Sequence, residues 1–321
     1  MRKENSKKPL LQARWASDNS KSYFLREWIL KKDPIFNTFD KDFFYKNTIP
    51  NKITYRNNKT KYVTKNKLEK KIEHLLKEIE KRKRQYTHFT IIKKRDFKRR
   101  RKCGLLILKF NDYPLVLKLF IEKPNNFVSP YFKGLNPFFI HGLSGGINRH
   151  LLGFTRIKNL QDIKSAIESS PKWSKLITTP RKWYWTPKDC KEIELIGKNF
   201  AGAKELRTVI PSTYCIIADE IKIKNKKFST FDKNARETCM SLCNFLELRM
   251  DPGVGNFLLE EETNKIALID TEHFPSLTGF KNRKKFSGHL SEYFNIGIRY
   301  LDNMFLQSKR DRLKPSLGHI T

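Results

Sequence analysis

One stretch, residues 248–274, constrains this chain more than any other: LRMDPGVGNFLLEEETNKIALIDTEHF. Its two apolar runs, Phe257-Leu258-Leu259 and Ile266-Ala267-Leu268-Ile269, are each too short for a helix. A polar, acidic turn joins them, so the pattern predicts a β-hairpin. Such a hairpin carries Asn256 at its entrance and Asp270 at its exit, which brings two oxygen-bearing side chains to one end. Asp251 lies just upstream, on a loop that Pro252, Gly253 and Gly255 keep out of helical geometry. The plain alternative is a hairpin whose Asp and Asn are ordinary turn residues.

Two hard oxygen ligands at one end of a hairpin suit a magnesium ion bridging nucleotide phosphates, because magnesium takes one or two protein oxygens and fills its shell with phosphate and water. A further carboxylate nearby can accept the proton of an attacking hydroxyl, as in phosphoryl transfer. The order Asp251-x4-Asn256 followed by a strand-borne Asp270 resembles the catalytic and metal-binding loops of the protein-kinase-like superfamily. Within it, Gly255-Asn256 and the run Ile269-Asp270-Thr271-Glu272 look more like aminoglycoside phosphotransferases and choline-type kinases than protein kinases. Arg249-Met250 stands where protein kinases usually have His-Arg, Gly253 where their Ser/Thr members have lysine, and Thr271-Glu272 where they have Phe-Gly. The resemblance implies that Asp251 accepts or orients the substrate hydroxyl, that Asn256 and Asp270 hold Mg2+, and that ATP is the phosphoryl donor.

Upstream, residues 87–93, 104–110 and 115–120 read as strands, the last two a hairpin around Asn111-Asp112-Tyr113-Pro114. By the resemblance these open a nucleotide-binding lobe, and Lys118 takes the place of the lysine that pairs with the α- and β-phosphates. Its neighbours Val116, Leu117 and Leu119 make a buried strand, where a lysine asks for an anionic partner unless it reaches solvent at an edge. The buried run Thr213-Tyr214-Cys215-Ile216-Ile217 looks like the last strand of that lobe, leading into a hinge where Asp219, Glu220 and Ile221 would meet the adenine. The glutamate that pairs with the lysine in kinases has four candidates, Glu168, Glu192, Glu194 and Glu205. Residues 94–102 depart from the family: no glycine precedes Gly104, and the basic run there suits either nucleotide phosphate or a nucleic-acid backbone. The Gly-rich stretch 142–149 is a turn or the start of an anion-binding helix.

Charge is the other strong feature. The formal net charge is +33, and residues 1–102 carry 32 Lys+Arg against 11 Asp+Glu, so the excess is mainly N-terminal. Such a segment attracts polyanions, nucleic acid or acidic membrane surfaces, without sequence specificity; a solvated surface shaped by Lys/Asn-rich composition is the other reading. Residues 1 to 20 read as a disordered segment or a basic arm, 23–45 as an aromatic-rich segment that docks on the body, and 65–84 as an amphipathic helix with its stripe at Leu68, Ile72, Leu75, Leu76 and Ile79. That helix is either a basic recognition element or a solvated helix packed by its stripe. Trp173, Trp183, Tyr184 and Trp185 among basic residues are a base-stacking cluster or a buried aromatic corner. Asp232 caps a helix with Ala235, Cys239, Leu242, Cys243 and Leu246 on one face, and 288–302 reads as a further helix. The five scattered cysteines form no CxxC pair and point to a reducing compartment, and the absence of an apolar leader or membrane-length run points to the cytoplasm.

The expectation is an α+β, two-lobed protein-kinase-like fold, a small antiparallel-sheet lobe plus a mainly helical lobe, with a basic N-terminal extension. Its parts are an extension at 1–86, a nucleotide-binding lobe at 87–221 and a short catalytic lobe at 222–321. The expected activity is transfer of the ATP γ-phosphate, with magnesium, to a hydroxyl of a small molecule or protein. A catalytically inactive kinase-like scaffold is a second reading. A third is a nucleic-acid-binding protein or a metal-dependent nuclease built on Glu220-x-Lys222 with Asp189.

Overall fold

The computed structural model describes residues 10–18, 23–26, 38–94, 97–128, 147–198, 205–223 and 233–273. The fold is mixed α+β, with several antiparallel sheets and few helices. Along the chain come strands β1 (Leu10–Trp15) and β2 (Tyr23–Arg26), then helix α1 (Lys41–Lys46), capped by Asp40, whose side chain accepts from the Phe43 amide. The hairpin β3 (Lys52–Tyr55) and β4 (Asn58–Thr64) leads directly into α2 (Lys65–Glu80). Next come β5 (Phe89–Lys94), β6 (Gly104–Phe110) and β7 (Leu115–Ile121). Helices α3 (Pro124–Val128), α4 (Ile147–Gly153), α5 (Thr155–Glu168) and α6 (Pro171–Leu176) follow. The short β8 (Ile177–Thr178) and β9 (Lys182–Trp185) precede the hairpin β10 (Glu192–Lys198) and β11 (Glu205–Pro211), and then β12 (Thr213–Asp219). Helix α7 (Lys233–Phe245) and the strands β13 (Phe257–Leu259) and β14 (Ile266–Leu268) complete the described chain.

The centre is a five-stranded antiparallel sheet in the order β5-β6-β7-β12-β9. Because strand side chains alternate between faces, each strand supplies two cores. Leu106, Leu108, Leu117, Leu119, Cys215 and Ile217 face helix α2, whose Leu68, Ile72, Leu75 and Ile79 are all buried against them. The stripe of that helix therefore packs inward, on one core with the sheet. The opposite face carries Leu105, Phe120, Tyr184, Tyr214 and Ile216, and meets Phe44 of α1, Leu151, Phe154 and Ile157. A second sheet, ordered β11-β10-β1-β2, adds Ala13, Ile193, Leu195 and Ile210 to that same core.

The N-terminal arm expected at residues 1–20 is thus partly an inner strand, since β1 pairs with both β10 and β2. The aromatic cluster is a set of core residues: Trp173 joins the core beside α7, Tyr184 one face of the central sheet and Trp185 the other. Helix α7 buries Ala235, Cys239, Leu242 and Cys243, while its expected cap Asp232, the expected helix at 288–302 and the glycines of 142–146 lie outside the described residues. All five thiols are free. Among the described residues no helix is long and apolar enough to cross a membrane.

The hairpin read from residues 257–269 forms as β13 and β14, with Phe257 opposite Leu268 and Leu259 opposite Ile266. It is not an isolated hairpin, because β14 also pairs in parallel with β8. A buried carboxylate fixes its turn from outside: Glu260 accepts from Arg56 through both oxygens, at 2.8 and 3.1 Å, and from the Thr263 hydroxyl. Arg56 also donates to the Thr179 carbonyl. The β3–β4 turn is therefore clamped to the hairpin and to the strand beside it.

Gly153, the last residue of α4, lies against the ring of Tyr214, which is stacked between Phe154 (centroids 4.2 Å apart) and Phe120 (4.7 Å). A Cβ at residue 153 would sit 1.8 Å from the Tyr214 hydroxyl oxygen. Gly153→Ala should lower the unfolding free energy by about 1–3 kcal/mol or more, as overpacking does. Adding Tyr214→Phe should recover part of that loss, because it removes the clashing atom even though it gives up the hydrogen bond from that hydroxyl to the His150 carbonyl. Denaturant titration of the single and double variants measures both effects.

Candidate active site

Lys118 stands on β7 in the row of Val116 and Phe120, on the sheet face turned toward α5. Its Nζ lies 3.0 Å from Asp270 Oδ2. The sequence places these two residues 152 positions apart; register and packing bring them together. On the hairpin, the Ile269 amide donates to the Asn256 carbonyl at 3.0 Å, so Asn256 and the exit residue Asp270 share one end. The Asn256 side-chain Nδ2 donates to the Asp251 carbonyl, and an Asp251 carboxylate oxygen accepts from the Gly253 backbone amide at 2.8 Å. The loop from Asp251 to Asn256 is thus closed on itself at the foot of β13.

Helix α5 holds both catalytic-loop candidates in place. Asn159 donates from one nitrogen to the Arg249 carbonyl, two residues before Asp251, and to the Thr271 carbonyl, one residue after Asp270. Arg156, only 3% exposed, donates from Nε to Asp270 Oδ1 at 2.9 Å and from Nη2 to Glu272 Oε2 at 2.8 Å. From β9, Lys182 donates to the Thr271 hydroxyl at 2.8 Å and to the Ile269 carbonyl, and that hydroxyl donates onward to the Arg156 carbonyl. Lys182 and Lys118 lie on strands flanking β12, opposite Ala218 and Ile216, so they project onto the same face.

Three cations, Lys118, Arg156 and Lys182, therefore converge on two carboxylates, Asp270 and Glu272. Burial raises the proton affinity of Asp270, but Arg156 and Lys118 more than offset this and hold its carboxyl well below the usual carboxylate range. Glu272 moves the other way, pushed up by burial and by the charge of Asp270 against the pull of Arg156. Both lysines are shifted down from the ordinary lysine value, chiefly by burial; repulsion from Lys118 adds to the shift at Lys182. A buried cluster with surplus positive charge is suited to an anion, and phosphate oxygens are the groups that such clusters take. Buried Nη1 of Arg156 has no hydrogen-bond partner among the described residues.

The other residues singled out in the sequence are less concentrated. Asp219 and Glu220, at the end of β12, are in internal ion pairs, Asp219 with Arg181 at 2.8 Å and Glu220 with Lys109 at 2.6 Å. Their amides donate to the Arg181 and Pro114 carbonyls, and Ile221 is buried. None of the four candidate glutamates pairs with Lys118: Glu168 pairs with Lys164 on the helix surface, Glu194 with Arg14 and Arg207, and Glu205 with Arg207, while Glu192 opens β10 opposite Pro211. Glu220 and Lys222 also part company, since Lys222 pairs with Glu262. Among the described residues no group of three or more His, Cys, Asp or Glu side chains is placed to hold a metal.

Sequence reasoning missed Arg156 and Lys182. A signal existed for the first: Arg156 falls in the helical row of Leu160, Ile163 and Ile167, where a charged residue needs a buried partner. Lys182 carried none, because KWYW does not reveal which face of its strand turns inward.

No family model, no curated protein and no solved structure matches the chain.

The sign of the Asp270 shift sets a pH dependence. A carboxyl whose folded pKa is depressed contributes stability that is present above its unfolded value, about 3.9, and lost as pH falls through the folded value. Asp270→Asn should cost roughly 3 kcal/mol at neutral pH, as removal of one partner of a largely buried ion pair does. Its stability deficit against wild type should be constant above about pH 5 and shrink below about pH 4. Unfolding midpoints measured across that range check the sign.

Proposed function

We propose that this chain is an ATP-dependent phosphotransferase of two-lobed, kinase-like design, with the central sheet as its nucleotide-binding part and the segment 251–272 as its catalytic part. The observation that carries this reading is the 3.0 Å approach of Lys118 to Asp270, which joins a sheet lysine to the exit of the hairpin. In that role Lys118 exchanges the Asp270 carboxylate for nucleotide phosphate oxygens, and its surplus cationic neighbours Arg156 and Lys182 favour the exchange. Asp251 accepts or orients the hydroxyl of the acceptor. Asn256 and Asp270 are the hard oxygen donors for magnesium, which would neutralise charge on the phosphates. The chain's own contribution is positioning and fixed charge, with α5 holding both loops through Asn159.

The donor set fits magnesium in one specific way. Both Asp270 oxygens are already paired with cations, so a free divalent ion meets three positive charges at that carboxylate. Nucleotide phosphates reverse that balance. Magnesium alone should therefore leave the melting temperature unchanged, whereas ATP with magnesium should raise it, and Lys118→Met should abolish the rise. Turnover of γ-labelled ATP should fall about 100-fold or more in Asp251→Asn and in Asp270→Ala, the scale expected when a positioned charge or proton acceptor is lost. Equal background turnover in wild type and both variants would sink the enzymatic reading.

A second reading has its own support. Arg156, anchored by Glu272 as well as by Asp270, keeps a fixed positive charge on the one acidic magnesium ligand, as suits a nucleotide-binding scaffold that performs no transfer. ATP stabilisation that needs no magnesium, with no turnover, is the pattern that reading expects.

A further inference from the structure

The basic connection between β5 and β6 does not lie on the Lys118 face of the sheet. It folds toward the other face, against the end of α2: Phe97 packs with the core beneath α2, and Lys102 pairs with Glu80 of that helix. The turn is tight, with the Lys98 amide donating to the Cys103 carbonyl at 2.8 Å and the Arg101 amide to the Lys98 carbonyl at 3.0 Å. The chain leaving α2 is equally fixed, since buried Glu78 accepts from the Thr87 amide and hydroxyl and pairs with Lys83. Between these two rigid pieces lies a cavity of about 530 Å³. Arg84, Lys98, Arg99, Arg100 and Arg101 line it, and none of them has an acidic partner among the described residues.

We propose that this cavity is a binding site for a compact cluster of phosphates carried on one small ring, separate from the Asp270 centre and independent of the function assigned to it. Five cations without acidic partners among the described residues, gathered on one turn and on the chain leaving α2, form a point-like field, which suits several phosphates held close together. A nucleic-acid strand needs a groove that follows its backbone and open aromatic faces for its bases. Here Tyr86 is buried and Phe97 packs into the core, so the rings form the floor of the cavity and offer no such face.

Inositol hexakisphosphate is the probe. Calorimetric titration of the full chain at physiological ionic strength should give one site per molecule. The double variant Arg99→Gln/Arg101→Gln should weaken it by about tenfold or more, the scale set by losing one charge-assisted hydrogen bond. Arg100→Gln should act in the same direction. All three side chains lie on a turn closed by backbone hydrogen bonds, so the variants should melt as wild type does. Lys118→Met should leave this affinity unchanged while abolishing stabilisation by ATP, which separates the two sites. Sedimentation with phosphatidylcholine vesicles, with and without a phosphatidylinositol bisphosphate, tells the sources apart: arginine-dependent recruitment assigns a lipid headgroup, and binding of the soluble probe alone assigns a free polyphosphate. The proposal is overturned if the probe does not bind, if it binds both variants as tightly as wild type, or if a single-stranded RNA oligonucleotide displaces it at lower concentration.

Discussion

Asp270 is held between an amine from the central sheet and a guanidinium from α5, and most of what is distinctive in this molecule depends on that arrangement. A largely buried carboxylate is costly to desolvate and is tolerated only with partners in good geometry. Each of its oxygens has one, contributed by a different element. The pairings therefore fix three pieces of structure at once: strand β7, helix α5 and the exit of the β13–β14 hairpin. Counted as formal charges, the three cations Lys118, Arg156 and Lys182 exceed the two carboxylates Asp270 and Glu272 by one.

Sheet register does the positioning. Lys118 lies opposite Ile216, and Lys182 opposite Ala218, two residues further along the same strand. Period-two alternation then puts both amines on the face of Tyr214 and Phe120, while Leu117, Leu119 and Ile217 turn to α2. A one-residue slip of β7 or of β9 against β12 would send its lysine into the apolar core under α2. The hairpin is fixed with the same economy. Its ladder sets Asn256 against Ile269, and Asn159 reaches from α5 to the chain on both sides of it.

What could be read from residue order was what depends on local pattern. The short apolar runs around residues 257–269, the hairpin at 104–121 and the stripe of α2 all declare their period; the hairpins form within a residue of their expected bounds, while α2, expected over 65–84, ends at Glu80. The demand of Lys118 for an anion was also legible, because a lysine among Val and Leu on a strand has few options. The identity of that anion was not. Four glutamates were candidates and the partner is an aspartate 152 positions away, a relation fixed by tertiary packing alone. The N-terminal strand β1 was hidden for a similar reason: its sequence LLQARW pairs with the nearby β2 but joins the rest of its sheet through β10, far along the chain, and no local feature announces that pairing. Likewise the run 97–102 advertises its charge but not its direction, and only the packing of Phe97 and the Lys102–Glu80 pair turn it away from the Lys118 face of the sheet.

Arg56 and Glu260 deserve a mechanical reading. Their two-pronged contact, with the Thr179 carbonyl as a third point, sews the small hairpin ahead of α2 to the far end of the hairpin that bears Asn256 and Asp270. Segments 204 positions apart in the chain are thereby stitched into one mechanical piece, so that a displacement of the β3–β4 turn is carried straight to the turn of the β13–β14 hairpin.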